Sequence, residues 1–104
     1  AIAIGDQAGN TTGTYNSGAI SIGSSANQGT ATIGQSSISI GVSSKATNSS
    51  NVSIGALAGN TTGTVGVNAI SIGPNTNQGT TNIGQSLIAI GDAADATSAS
   101  AIAI

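Results

Sequence analysis

An Ile-Gly dyad that returns at fixed intervals constrains this chain more than any other feature. It stands at Ile4-Gly5, Ile22-Gly23, Ile40-Gly41, Ile54-Gly55, Ile72-Gly73 and Ile90-Gly91, at spacings of 18, 18, 14, 18 and 18 residues. A further step of 14 reaches Ile104. The pattern 18-18-14 is thus played twice, and residues 5–54 align without a gap on 55–104 at 28 identical positions of 50. A period held this strictly marks an architecture in which one small unit stacks on the next, because such a unit cannot bury its apolar face alone. A disordered low-complexity tract has no reason to keep phase. We read residues 1–104 as a single repeat segment with an internal duplication (5–54 and 55–104), expected to belong to a longer array.

Each unit carries one short strand. Ala19-Ile20-Ser21-Ile22, Ser37-Ile38-Ser39-Ile40, Asn51-Val52-Ser53-Ile54, Ala69-Ile70-Ser71-Ile72, Leu87-Ile88-Ala89-Ile90 and Ala101-Ile102-Ala103-Ile104 alternate small residues with branched aliphatics. Period two with β-branching predicts strands with the aliphatics on one face. Stacked at about 4.8 Å, Ile20, Ile22, Ile38, Ile40, Val52, Ile54, Ile70, Ile72, Ile88, Ile90, Ile102 and Ile104 form a structural ladder. Gly5, Gly23, Gly41, Gly55, Gly73 and Gly91 mark the turns that follow, where a side chain would not fit or φ is positive. A weaker second strand is expected around Tyr15, Ile33, Val65 and Ile83, ten residues after a dyad glycine. In the short units it falls on Ser44-Lys45-Ala46 and Ala94-Asp95-Ala96. A hexapeptide helix would need an aliphatic at every sixth position, yet Gln28 and Gly34 occupy the sixth and twelfth places after Ile22. The fold class read from this pattern is all-β: a parallel β-roll or β-solenoid of about six coils.

Composition narrows the function. The chain has no Cys, Met, Trp, Phe, His, Glu or Arg, one Lys and three Asp. The usual acid–base, thiol and phosphate-clamping groups are missing, so we expect no enzyme and no cofactor. A formal charge of −2 with one cation gives no phosphate-neutralising surface, so nucleic acid is not an expected partner. No apolar run approaches the roughly 18 residues needed to span a bilayer, and no membrane insertion is expected of this segment. No basic stretch followed by a long apolar one opens the chain, so no secretory signal is expected within it.

The Ile-Gly strands resemble the head repeats of trimeric autotransporter adhesins, the YadA-like heads. That family's fourteen-residue unit places small residues at the third and fifth positions after the glycine; here Gly41 is followed by Ser44 and Ala46, and Gly91 by Ala94 and Ala96. The longer units, two of them with Asn-Gln-Gly, resemble variants in viral and phage fibre proteins. The resemblance implies a left-handed parallel β-roll, three chains about one axis, and an extracellular rod or head on a cell, virion or filament surface. It implies a possible host or matrix ligand. Self-association as a homotrimer also has a physical argument, since a coil of 14–18 residues is too thin to enclose a core of its own.

Other chemistry is sparse. Asp92 and Asp95 with distant Asp6 fall short of the six to eight oxygens calcium takes, so no metal is expected. Lys45 beside Ser44 lacks anything to activate it and reads as a solvated residue. Asn10, Asn48, Asn51 and Asn60 begin Asn-x-Ser/Thr sequences and are candidate glycosylation sites, frequent by chance in so Ser/Thr-rich a chain. Thr12/Thr14, Thr30/Thr32 and Thr62/Thr64 share one phase, as the outward rows of ice-binding solenoids do, but Thr80-Thr81-Asn82 and the short units break the row. We expect a non-enzymatic extracellular head or fibre module, with a viral or phage fibre shaft and an ice-binding solenoid as the other readings.

Overall fold

In the computed structural model, which describes every residue except 30–31, 63–64 and 80–81, the chain winds into an all-β parallel solenoid. Seven strands form one sheet in sequence order: β1 Ile2–Ile4, β2 Ile20–Ile22, β3 Ile38–Ile40, β4 Val52–Ile54, β5 Ile70–Ile72, β6 Ile88–Ile90 and β7 Ile102–Ala103. Every pairing is parallel and in step, so Ile2, Ile20, Ile38, Val52, Ile70, Ile88 and Ile102 form one column. Ile4, Ile22, Ile40, Ile54, Ile72 and Ile90 form the other. We number the windings that follow β1 to β6 as coils 1 to 6; coils 3 and 6 are the short ones.

Close stacking sets the first corner. After β1 to β5 the glycine lies against the next winding: a Cβ on Gly23 (φ +123°) would sit 2.7 Å from the Gly41 carbonyl oxygen. Gly41, at φ +131°, meets the Gly55 oxygen at 2.5 Å. Both grounds for the predicted glycine hold here, the positive φ and the lack of room. Two residues later the backbone is left-handed again in every coil, at Gln7, Ser25, Ser43, Leu57, Asn75 and Ala93. A third left-handed corner precedes each strand, at Gly18, Ser36, Ser50, Asn68, Ser86 and Ser100.

The structure also places the four-residue difference between long and short coils. Asn27 N–H donates to Ser44 C=O, which sets Asn27 level with Lys45, whereas Ser50 N–H donates to Gln35 C=O, which sets Ser50 level with Ser36, so the offset between coils 2 and 3 drops from 18 to 14 between these points. The extra residues therefore lie between Asn27 and Ser36 in coil 2, between Gly59 and Asn68 in coil 4 and between Asn77 and Ser86 in coil 5. A local switch accompanies them. The fourth residue after the dyad glycine is left-handed in the long coils (Gly9, Asn27, Gly59, Asn77) but not in the short ones, where Lys45 and Asp95 stand. Glycine and asparagine tolerate that conformation; lysine and aspartate keep the ordinary one.

The weaker second strand takes a different form. Tyr15 pairs with Ile33 and Val65 with Ile83 as isolated parallel bridges rather than as extended strands. Ser44-Lys45-Ala46 forms no strand either, though its backbone joins a hydrogen-bonded column with Asn27 and Ala58. The turns on both sides leave too few extended residues for a strand.

Adding a methyl at Gly23 or Gly41 forces both a strained φ and a backbone clash, and each Gly→Ala change is expected to cost about 2–4 kcal/mol. Ala93→Asn, at φ 56°, should instead stabilise by about 0.5–1 kcal/mol because asparagine accepts the left-handed well. Urea denaturation of the two variants against the parent chain checks the opposite signs.

Candidate functional site

Apolar and polar residues are distributed unusually between inside and outside. The middle residue of each central strand points inward: Ser21, Ser39, Ser53, Ser71 and Ala89 are buried. The branched aliphatics on either side point outward and stay partly exposed. Of fifteen isoleucines only Ile33 and Ile83 are buried. Within one chain the ladder is therefore in register but not dry. The reason is the girth of the coil, whose interior accepts Ser, Ala and Asn and has no place for two rows of isoleucine. The result is a continuous, uncharged, two-column aliphatic face along one side of a body measuring 30 × 21 × 20 Å.

Inside, buried amides link windings of different length. Asn27 donates from Nδ2 to Ser21 Oγ (2.8 Å) and accepts from Ala46 N–H (2.7 Å). Asn77 repeats the arrangement with Ser71 and with Ala96 N–H at 2.8 Å. Both stand where a long coil gives way to a short one. Asn51, at the opposite transition, accepts from Ala69 N–H at 2.9 Å. These side-chain carbonyls take over backbone donors at places where the coil length changes, and burial raises the cost of leaving such donors unpaired. The sequence reading missed this role. Its trace was Asn-Gln-Gly at the same offset in coils 2 and 5, where coils 1 and 4 have Gly-Asn-Thr.

The two halves fill the interior differently. Ala69, Ile83, Leu87, Ala89 and Ala96 make an apolar cluster in the second half. Their counterparts in the first half are Ala19, Ile33, Ser37, Ser39 and Ala46, with a Ser39–Ser44 hydroxyl contact of 2.7 Å. Ser37 Oγ and Asn51 Nδ2 are buried without a hydrogen-bond partner. In coil 1, Tyr15 donates its hydroxyl to Ile2 C=O (2.7 Å) and lies 2.9 Å from Ser21 Oγ, its ring occupying the space that a side chain at Gly9 would need.

The remaining candidates lie apart. Asp6, Asp92 and Asp95 are exposed, and no group of three metal-ligating side chains exists among the described residues. Lys45 is partly buried, and its carbonyl accepts from Ser53 Oγ at 2.6 Å. Asn10 is exposed and Asn60 partly so; Asn48 donates from Nδ2 to Val65 C=O, and Asn51 is 1% exposed. A glycan on either of the last two requires the coil to open. Thr12, Thr14, Thr32 and Thr62 are exposed in the long coils, while Thr30, Thr64, Thr80 and Thr81 of the row lie outside the described residues. Among the described residues the long coils pair here two by two, at Thr11–Gly29 and Thr61–Gly79, with a short coil between the pairs.

Comparison with known proteins returned no matching family model, no matching curated protein and no matching solved structure.

Removing a linking amide should be far costlier than removing the orphaned hydroxyl. Asn77→Ala strands the Ala96 N–H and is expected to destabilise by about 2–4 kcal/mol. Ser37→Ala deletes a buried oxygen that has no partner and should be neutral or slightly stabilising. Thermal melts of the two variants decide it.

Proposed function

We propose that this chain is a non-enzymatic extracellular head or fibre module, adhesive or structural, displayed on a cell or virion surface. It works as a left-handed β-roll in a parallel homotrimer, built on the plan of the YadA-like heads and fibre repeats its strands resemble. One observation carries the reading: the strand aliphatics are outside, in two in-register columns, while Ser21, Ser39, Ser53, Ser71 and Ala89 between them face the inside. A continuous apolar face of this kind marks an association surface. Another copy matches it well, because it presents the same side chains at the same rung spacing. The three-residue strands are about 10 Å wide, so the face alone offers roughly 300 Å² per copy over the 30 Å length. That is short of the roughly 800 Å² per partner of an ordinary stable interface, so more than one neighbour and the flanks of the face must contribute.

Adhesive or structural work then comes from repetition. A nearly uncharged surface rich in Thr, Asn and Ser makes shallow contacts, and many parallel copies multiply them. A virion fibre shaft is the same module with another attachment. An ice-binding solenoid has less support, since the short coils divide the threonine row into pairs.

Sedimentation equilibrium of the 104-residue chain should return the mass of three chains; a single-chain mass at all concentrations overturns the reading. Ile54→Asn with Ile72→Asn places two amides on the outer face. In a lone chain such surface changes cost little, whereas in the proposed assembly they are buried and should dissociate it.

A further inference from the structure

One corner of the solenoid departs from its repeats in a way a single chain does not need. The residue after the dyad glycine is Asp6, Ser24 or Asp92 in coils 1, 2 and 6, but Val42, Ala56 and Pro74 in coils 3 to 5. Val42 is 56% exposed, and Ala56 and Pro74 are exposed too. Beside them Leu57 occupies the left-handed corner at φ 62°, where the other coils place Gln, Ser, Asn or Ala. A leucine held there is strained and only partly buried, with its N–H bonded to Val42 C=O. This patch continues the outer aliphatic face through Ile40, Ile54 and Ile72. On the opposite flank, before the strands, the repeated position holds Ser17, Gln35, Ser49, Val67, Gln85 and Ala99. Val67 is its one branched aliphatic, and it lies in coil 4 with Leu57.

We propose that the Val42–Leu57–Pro74 corner of one copy packs on the Val67 flank of the next copy around the assembly. The inference rests on the self-association reading and adds the flanking contact that reading requires. In parallel copies about one axis, equal coils stand at equal height, and the flank after the strands of one copy meets the flank before the strands of its neighbour. Such a contact is heterologous and closes into a ring. Leu57 and Val67, on the same coil and opposite flanks, are placed to meet. The assembly thereby makes use of a leucine that the lone fold carries under strain.

The chain has no cysteine, which makes the test clean. Leu57→Cys with Val67→Cys, oxidised without denaturant, should give covalent species up to three chains on non-reducing electrophoresis, and each single-cysteine variant should give none. A double variant that keeps the parent's mass in solution but forms no interchain disulfide overturns the corner contact and leaves self-association standing. A single-cysteine variant that cross-links indicates a twofold contact and also overturns it. A parent chain of single-chain mass overturns both readings together. Leu57→Asn gives an independent check that keeps the fold: relief of strain should raise the melting temperature of the dissociated chain, while association weakens about tenfold. A variant that associates as tightly as the parent overturns the proposal.

Discussion

The narrowness of the winding governs this structure. A turn of 14–18 residues, folded back at repeated left-handed corners, encloses a narrow space filled mainly by serine, alanine and asparagine, with Ile33, Ile83 and Leu87 the larger aliphatics it holds. Each corner brings the backbone of one winding close to the next, which is why glycine stands where a Cβ would meet a carbonyl. The isoleucines of the strands, required there for their β-branching, are left on the outer face, while Ile33 and Ile83 lie inside. Sheet, corner and surface are therefore one constraint seen in three places.

From that constraint comes a division of labour between polar and apolar groups opposite to that of most domains. Cohesion inside the coil relies on parallel backbone ladders and on small buried side chains, with Asn27, Asn51 and Asn77 supplying acceptors where coil length changes. The apolar surface that stabilises an ordinary core is held in reserve on the outside. A chain so arranged gains most by burying that face.

Strand positions, their parallel stacking and the dyad glycines were legible because each rests on a local rule repeated six times. The ladder pairing of Ile20 with Ile38 and Val52 follows directly from the 18- and 14-residue steps. The second strand was less legible, since Tyr15 and Ile33 pair only as a bridge set by the turns around them. The amide links escaped the reading because a buried asparagine and a turn asparagine look alike until the neighbouring coil is in place. Leu57 escaped it for a related reason, as the left-handed φ at its corner belongs to the stacked backbone and not to leucine's own preference.

The amino-acid order by itself determined a parallel stack of short strands, the 18-18-14 rhythm and the poverty of chemical groups, because periodicity and composition are properties of the chain alone. Only the tertiary structure decided which side of each strand faces inward. Period two separates Ile from Ser without saying which set is enclosed, and the answer depends on the volume inside a closed winding. It likewise decided where the four extra residues lie, since only the hydrogen bonds between neighbouring coils reveal the change of offset after Asn27.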